Sequence, residues 1–277
     1  MTPSAPLLSA RLSVEYPNRR SILRDVALEI APGEILGLAG ESGSGKSTIA
    51  LALLQLVQGK GGKVIGEIIF QGEHLLSKTE KQLREMRGKS MSIVLQSPLT
   101  SLNPALRIGA QLKEAWRAHA SGTAAECESA IKSALESVSL SSDEEFLRRR
   151  PLQLSVGQGQ RVIIAMAILH YPALLIADEA TSALDTITQS DILKLFRRLN
   201  RELGMAILYI SHDLLSVAAL CDRVAILNDG SIVECGSSQE IFDSPKHPYT
   251  RRLVAALPKR PSEATPGRDA EFVLSKA

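Results

Sequence analysis

Three features of the sequence predict an α/β fold for this chain of 277 residues. The first is an apolar run at 35–39 that leads into a glycine-rich segment at 40–48, with an apolar helical segment behind it. The second is a continuous apolar run at 173–177, typical of a strand buried on both faces of a parallel sheet. The third is the stretch 105–150, where apolar and charged residues alternate at helical spacing. Together they indicate a sheet-based core with an inserted helical segment.

Composition indicates a globular protein and argues against a nucleic-acid partner. Hydrophobic residues make up 44% of the chain, which is ample for a buried core, and the formal net charge is only +2. Aromatic residues make up 4%, too few for a base-stacking platform. The apolar stretch 162–177 is interrupted at 170–172, so no membrane-spanning helix is expected. No secretory signal is visible at the N-terminus. The widely spaced Cys127, Cys221 and Cys235 are interpreted as reduced core residues of a cytosolic protein.

The glycine-rich segment has the pattern and the context of a phosphate-binding loop. A strand, a glycine loop and a helix in this order aim backbone N–H groups and the positive end of a helix dipole at a polyphosphate. Lys46 would pair with the β- and γ-phosphates, and the Ser47 hydroxyl would hold Mg²⁺. A glycine-rich turn capped by Ser44 or a neighbouring residue could also enter a helix, but a plain turn does not require the lysine. The candidate residues are Gly40, Glu41, Ser42, Gly43, Ser44, Gly45, Lys46, Ser47 and Thr48.

Two acidic residues follow the predicted strand at 173–177. Asp178 and Glu179 stand at its carboxyl end, where open α/β sheets place their ligands. Asp178 would orient Mg²⁺ through its hydration shell, and Glu179 would orient or deprotonate the water that attacks a γ-phosphate. The alternative interpretation is an exposed pair of acidic residues that caps the next turn. The phosphate-binding loop earlier in the sequence disfavours this alternative.

Gln96 and His212 also end predicted strands and could reach the same edge of the sheet. Gln96 could contact Mg²⁺ or the attacking water, and His212 could hydrogen-bond the γ-phosphate. By itself neither signal is specific, because a glutamine at a strand end is usually solvated and a single histidine is usually a satisfied core residue.

The segment Leu-Ser-Val-Gly-Gln at 154–158 allows two interpretations. Ser155 with Gln158 three residues later is a capping box, which by itself explains a helix that begins here, from about Gly159. Alternatively, the serine hydroxyl, the Gly157 N–H and the helix N-terminus bind a γ-phosphate. Spacing alone does not separate the two.

Taken in order, six motifs resemble those of the ATPase subunit of an ABC transporter. They are Tyr16, the loop at 40–48, Gln96, the segment 154–158, the segment Leu-Leu-Ile-Ala-Asp-Glu-Ala-Thr-Ser-Ala-Leu-Asp at 174–185, and His212. The resemblance extends from residue 7 to about 260. It implies a P-loop NTPase (RecA-like) core with an N-terminal antiparallel β subdomain and an inserted α-helical subdomain, and it implies ATP and Mg²⁺ as cofactors.

The resemblance also implies a role for each motif. Tyr16 would stack on the adenine, 40–47 would be the Walker A motif, and Gln96 would be the Q-loop residue near Mg²⁺. Asp178 would end the Walker B motif, with Glu179 as catalytic base and His212 as the switch histidine. The signature motif would be Ser155, Val156, Gly157 and Gln158, and the D-loop would be Ser182, Ala183, Leu184 and Asp185.

In this family two subunits face each other head to tail. Each ATP then lies between the Walker A motif of one subunit and the signature motif of the other, so this chain would not complete a hydrolytic site alone. The implied ATPase domain covers 7–262, with its core at 7–96 and 158–236, a helical subdomain at 97–157 and an importer-type extension at 237–262. The polar residues 263–277 are expected to form a disordered tail.

The segments Leu-Gln-Ser-Pro-Leu-Thr-Ser-Leu-Asn-Pro at 95–104 and Ser-Pro-Lys-His-Pro-Tyr-Thr-Arg-Arg-Leu-Val-Ala-Ala-Leu-Pro at 244–258 are similar to the oligopeptide, dipeptide and nickel importer branch. This implies a peripheral subunit at the cytoplasmic face of the cell membrane, which energises uptake of a peptide, nickel or metal-chelate solute. Its partners would be a second ATPase subunit, identical or different, a membrane permease and, indirectly, an extracytoplasmic binding protein. A coupling helix of the permease would contact 97–104, unless this is an ordinary proline-capped loop.

Two other classes of protein are alternatives to an importer subunit. An ABC-type ATPase in a soluble complex, such as the carbon–phosphorus lyase accessory subunit, has a similar sequence plan. A GTPase switch is disfavoured, because the sequence has no Asn-Lys-x-Asp motif.

The chain departs from the family pattern at two positions. Val156 replaces the usual first glycine of the signature, where close approach of backbone to phosphate is expected, and Ala180 replaces the usual proline after the catalytic glutamate. We predict that the β-branched Val156 weakens the composite site whose Walker A motif belongs to the partner subunit.

Overall fold

The computed structural model describes residues 5–17 and 19–257 of the chain, and the tail predicted at 263–277 lies outside these residues. The strands are β1 (Leu8–Tyr16), β2 (Arg19–Ile30), β3 (Ile35–Ala39), β4 (Lys63–Phe70), β5 (Glu73–His74), β6 (Met91–Val94), β7 (Leu174–Asp178), β8 (Ala206–Ser211), β9 (Arg223–Asn228) and β10 (Ser231–Ser237). The helices are α1 (Lys46–Leu53), α2 (Glu80–Met86), α3 (Pro98–Ser101), α4 (Ile108–Arg117), α5 (Ala124–Ser137), α6 (Glu144–Arg148), α7 (Val156–Ile168), α8 (Thr186–Leu203), α9 (Leu214–Leu220), α10 (Ser238–Asp243) and α11 (Pro248–Ala255).

A six-stranded sheet in the order β10-β9-β3-β8-β7-β6 forms the centre of the fold. Neighbours from β9 to β6 are parallel, and β10 pairs antiparallel with β9 through the turn at Asp229 and Gly230. Both turn residues have positive φ, 44° and 76°, as the Asp-Gly pair predicted. The carboxyl ends of β3, β7 and β8 therefore meet at one edge of the sheet.

The central sheet is buried on both faces, because its apolar residues alternate between two cores. In β3, Ile35 and Ala39 belong to a cluster with α7, α8 and α9, whereas Leu36 and Leu38 belong to a cluster with α1 and the strands β1, β2 and β4. The latter strands, with β5, form a four-stranded antiparallel sheet in the order β2-β1-β4-β5. The predicted fold class, an α/β core with an N-terminal antiparallel sheet and inserted helices, is confirmed.

Two predicted boundaries were wrong in ways that concern the site. Helix α7 begins at Val156 rather than near Gly159, because Ser155 is its capping residue and Gln158 already lies in its first turn. Strand β6 ends at Val94, where its last pairing with β7 joins Val94 to Ala177, so Gln96 lies in the following loop and does not end the strand.

Among the described residues, no helix combines the length and the apolar character needed to cross a bilayer.

Candidate functional site

The glycine-rich loop joins β3 to α1 and is packed tightly against its surroundings. A Cβ atom at Gly40 would lie 2.1 Å from the carbonyl oxygen of Leu227, so only glycine fits there. Gly45, immediately before α1, has φ of 108°, a conformation that side chains rarely adopt, and a Cβ there would meet the Leu23 side chain at 2.7 Å. Packing and backbone conformation thus explain why glycine is required at positions 40 and 45.

Within the described residues, the loop presents hydrogen-bond donors that have no partner in the protein. No side chain caps α1, and the first N–H groups of a helix have no acceptor within it. The predicted alternative, a turn capped by Ser44, is therefore wrong: the Ser44 hydroxyl is buried and has no hydrogen-bond partner within the described residues. A buried unpaired polar group costs about 1–3 kcal/mol. These donors fit the oxygens of a polyphosphate, which would satisfy them.

Lys46 is buried in the middle of this loop. It is 6% exposed, and its Nζ donates to the carbonyl oxygens of Gly40 at 2.8 Å and Glu41 at 2.9 Å. Burial lowers the pKa of Lys46, and the carboxylates of Glu179 and Asp178 oppose that change. An anionic ligand would act in the same direction as these carboxylates and stabilise the charged amine.

Asp178 and Ser47 meet at the end of β7. The Ser47 hydroxyl donates to Oδ1 of Asp178 at 3.1 Å. Burial raises the pKa of Asp178, with a further contribution from Glu179, whereas the Ser47 hydrogen bond and Lys46 lower it. Two adjacent oxygen ligands, one of them a carboxylate, suit a hard cation such as Mg²⁺, which also takes phosphate oxygens. The cation would relieve the cost of ionising Asp178.

Glu179 has a left-handed backbone with φ of 53° and contacts His212 directly. Its N–H donates to the carbonyl oxygen of Ile210 in β8 at 2.9 Å, which holds this conformation. His212 Nδ1 lies 2.8 Å from each carboxylate oxygen of Glu179. Because an ionised carboxylate only accepts, the proton of this hydrogen bond lies on Nδ1. The pair can therefore position a carboxylate that accepts a proton from water.

A buried hydroxyl network lies behind this pair and was not foreseen from the sequence. The Tyr209 hydroxyl lies 2.8 Å from Oγ1 of Thr181 and donates to Oγ of Ser216 at 3.1 Å. Ser216 Oγ in turn donates to the carbonyl oxygen of Asp213 at 2.7 Å. The network links the residues after Glu179 to those after His212. Its signal in the sequence was a tyrosine within an apolar strand, because a buried phenol needs a partner.

The signature segment forms the capped N-terminus of α7. Ser155 Oγ accepts from the Gln158 N–H at 3.2 Å, and Gln158 Oε1 accepts from the Ser155 N–H at 3.1 Å, so the capping-box interpretation is confirmed. Val156 is 43% exposed. A Cβ at Gly157 would lie 2.8 Å from the Thr188 methyl group. Phosphate binding at this terminus remains a prediction.

The D-loop residues 182–185 connect Glu179 to α8, beside the signature segment. Ser182 Oγ donates to the Glu179 carbonyl oxygen at 3.0 Å. Asp185 caps α8 and accepts from the Thr188 hydroxyl at 2.7 Å. Thr188 thus contacts both the D-loop and the start of α7, which makes these two predicted motifs neighbours.

Two predicted site residues, Tyr16 and Gln96, make no side-chain hydrogen bond to another predicted site residue within the described part of the chain. The half-buried Tyr16 ends β1, and its ring lies so close to Gly62 that a Cβ there would be 2.8 Å from Cε1. Gln96 is exposed in the loop before α3. Their contacts with a nucleotide remain predictions.

The glycine-rich loop between β3 and α1, with Asp178 and Glu179 beside it at the carboxyl edge of the parallel sheet, defines a P-loop NTPase. Comparison with known families identifies the family. The family model described as "ABC transporter" matches residues 23–182, more than half of the chain. The chain therefore belongs to the ABC transporter family, as the motifs predicted. A second model, "Oligopeptide/dipeptide transporter, C-terminal region", matches residues 233–271, which confirms the predicted branch.

Curated relatives agree with this assignment. The glutathione import ATP-binding protein GsiA of Salmonella typhimurium is 41% identical over 243 residues, which are 86% of this chain and 39% of the relative. The peptidoglycan transport ATP-binding protein YejF of Agrobacterium fabrum is 42% identical over 263 residues, 93% of this chain and 48% of the relative. The chain thus spans less than half the length of these relatives.

Solved structures share the fold. CbiO1 from Clostridium perfringens, described as part of the ABC transporter complex cbiONQ, superposes with a TM-score of 0.75 at 27% identity, over 86% of this chain and 91% of that one. The ATP-binding cassette MJ0796, in a dimeric post-hydrolysis state bound to ADP and Pi, gives 0.72 at 26% identity, over 83% and 98%.

Proposed function

We propose that this chain binds and hydrolyses ATP to drive import of a peptide-derived solute through a membrane permease. The observation that carries the proposal is the meeting of Lys46, the Ser47–Asp178 pair and the Glu179–His212 pair at one edge of the central sheet. An uncapped helix, a desolvated lysine and a histidine-bound carboxylate suit phosphoryl transfer to water, which depends on positioning the reactants and stabilising the charge on the phosphate.

Each group has a distinct task in the reaction. The free N–H groups of α1 and Lys46 bind the β- and γ-phosphates, and Tyr16 packs against the adenine. Ser47, Asp178 and Gln96 would hold Mg²⁺, which when bound would neutralise negative charge on the phosphates. Glu179 accepts the proton of the attacking water, and His212 orients the Glu179 carboxylate and contacts the γ-phosphate.

The site is completed by a second cassette. Ser155 and Gly157 lie at an exposed helix terminus, and the neighbouring D-loop lies beside them. The MJ0796 cassette, with the same fold, is described as a dimer bound to ADP and Pi. We infer that the α7 N-terminus of one subunit contacts the phosphate held by the loop of the other, in a homodimer or beside a sister cassette.

An apolar groove offers a place for the permease. It encloses about 280 Å³ between the core and the inserted helices, and Ser101 at the end of α3 is part of its lining. The loop 97–104 is held rigidly there, because Gln111 accepts from the Asn103 N–H at 2.8 Å and donates to its carbonyl oxygen at 3.1 Å. The lining includes Leu56, Leu102, Ala115, Ile163 and Met166. A groove of this size and apolar lining suits apolar side chains that project from a helical segment of the permease, and contact there would hold the subunit at the cytoplasmic face of the membrane.

The comparisons favour a peptide-derived solute. GsiA and YejF are named for glutathione and peptidoglycan, and residues 233–271 match an oligopeptide/dipeptide transporter region. Neither name supports nickel or a metal chelate as the solute, and both argue against a role in a soluble enzyme complex. Solute choice itself would lie with the permease and its extracytoplasmic binding protein.

Affinity purification from detergent-solubilised membranes tests this function. The tagged wild-type chain should bring down a permease and a second cassette, whereas recovery with a soluble enzyme complex alone would contradict the importer. Met166→Glu places a charge in the groove and should lose the permease while MgATP binding persists. Leu152→Glu is the matched control, because Leu152 is 78% exposed outside the groove. Equal permease recovery by both variants would refute the groove assignment.

A further inference from the structure

Helix α11, within the region that matches the oligopeptide/dipeptide C-terminal family, contacts the phosphate-binding loop. The N–H of Glu41 donates to the hydroxyl of Tyr249 at 3.1 Å. The Tyr249 side chain is 4% exposed, and its ring packs in the hydrophobic core beside α7 to α9. Its hydroxyl therefore meets the loop from a fixed position.

The segment before α11 is itself held by β10. The carboxylate of Glu234 accepts from the N–H groups of Lys246 at 2.7 Å and His247 at 3.0 Å. His247 then caps α11, because its Nδ1 accepts from the Tyr249 N–H at 3.2 Å. The chain of contacts from β10 to the loop thus runs through Glu234, His247 and Tyr249.

Tyr249 and Lys46 hold the same peptide group. The Gly40–Glu41 peptide gives its N–H to the Tyr249 hydroxyl, and its carbonyl oxygen accepts from Lys46 Nζ at 2.8 Å. If Lys46 turns to bind a phosphate, as the proposed function requires, the lysine gives up bonds to this carbonyl and to that of Glu41. The Tyr249 hydroxyl then remains as the side-chain anchor of this peptide.

We propose that Tyr249 is a positioning residue for nucleotide binding, which keeps the loop in its binding conformation when Lys46 transfers to the phosphates. The inference rests on the proposed placement of the nucleotide at 40–48. It assigns a task to this family-specific C-terminal region: α11 supports the phosphate-binding loop of its own chain.

Tyr249→Phe tests the hydroxyl alone, because the ring and its packing are kept. In MgATP titrations of the full chain, we expect the Kd to rise about three- to tenfold. This fold-change corresponds to the net free energy of one hydrogen bond. The unfolding midpoint without nucleotide should change little, because Lys46 then still holds the Gly40–Glu41 peptide through its carbonyl oxygen. In the assembled transporter the KM for ATP should rise, whereas kcat at saturating ATP should stay near the wild-type value.

Two further variants make the outcome decisive. Tyr171→Phe removes another phenol hydroxyl, on a residue 62% exposed, and should bind MgATP like the wild type. Glu234→Gln weakens the anchor of α11 without touching the loop, and should raise the Kd in the same direction by less.

Unchanged affinity in Tyr249→Phe, with binding lost in Lys46→Ala, would overturn the inference and leave the nucleotide site in place. A large drop in the unfolding midpoint of Tyr249→Phe with an unchanged KM would also overturn it, in favour of a purely structural role. Wild-type affinity in Lys46→Ala would instead refute the nucleotide site itself.

Discussion

The two helix N-termini that carry the predicted phosphate contacts, those of α1 and α7, differ in one decisive respect. Within the described residues, helix α1 has no side-chain cap and begins with the buried Lys46, whereas α7 is capped by Ser155 and Gln158 and carries the exposed Val156. Unpaired N–H donors at α1 cost free energy unless a ligand accepts their hydrogen bonds. At α7, the Ser155 hydroxyl already accepts a hydrogen bond from the Gln158 N–H. The unpaired donors of α1 therefore favour a ligand bound within this chain, whereas contact of α7 with a phosphate held by another chain stays a prediction.

The largest effect is expected from Glu179→Gln, which removes the proton acceptor but keeps the size of the side chain. Loss of a general base should lower ATP hydrolysis by the assembled transporter by at least about 100-fold. ATP should then hold two subunits together, which light scattering can measure as a stable dimer. The control is Glu202→Gln, at the exposed end of α8. A variant that hydrolyses normally, or never traps nucleotide in a closed pair, would remove the basis for the composite site.

Ser155→Ala tests whether α7 acts on phosphate or is merely capped. Loss of an N-cap should cost about 1 kcal/mol of stability, and loss of the phosphate contact should lower hydrolysis at least about tenfold.

The matched control for Ser155→Ala is Thr123→Ala. Thr123 forms the same capping box with Glu126 at the start of α5, so it should lose similar stability without losing activity. Equal activity losses in the two variants would show that Ser155 is only a cap.

Val156→Gly tests the departure in the signature. With the side chain removed, closer approach of the partner's phosphate should raise hydrolysis a few-fold when the chain is paired with its partner. Ala124→Gly is the control, because it places glycine at the same first helical position of α5. An unchanged rate in Val156→Gly would exclude the proposed weakening.

The smallest effect is expected from Asp178→Asn in the absence of nucleotide. Burial raises the pKa of Asp178 in the folded chain. The protonated carboxyl therefore stabilises the folded chain at pH values below the ordinary pKa of aspartate, and this stabilisation is lost as the pH rises through the pKa that Asp178 has in the folded chain. The asparagine variant should therefore unfold about 1–3 °C higher near neutral pH, with the difference vanishing in acid, while Mg²⁺-dependent ATP binding is lost.

Asp25→Asn should behave oppositely in thermal unfolding. The hydrogen bond from Arg11 lowers the pKa of the exposed Asp25. At pH values above the ordinary pKa of aspartate, loss of this charge should therefore slightly lower the thermal stability. Identical pH profiles for the two variants would argue against the desolvation of Asp178.

The predictable part of this protein was local or periodic. The apolar runs predicted β3 and β7, the Asp-Gly pair predicted the hairpin of β9 and β10, and Ser155 with Gln158 predicted a capping box. The loop at 40–48 and the acids after β7 could be placed at one sheet edge because parallel strands share their carboxyl ends. The boundary of α7 was misplaced because the segment 154–158 was taken to precede the helix, although the capping interaction begins it.

What the sequence determined by itself was the class of fold, the family and the order of the motifs, because hydrophobic period, glycine spacing and capping pairs act within a few residues. Only the tertiary structure decided which distant groups touch. The Tyr249 hydroxyl reaches Glu41 across 208 residues, the Tyr209 network joins Thr181 to Ser216, and Glu179 takes a left-handed backbone beside β8. Such contacts depend on how whole sheets and helices pack, and no local pattern encodes that packing.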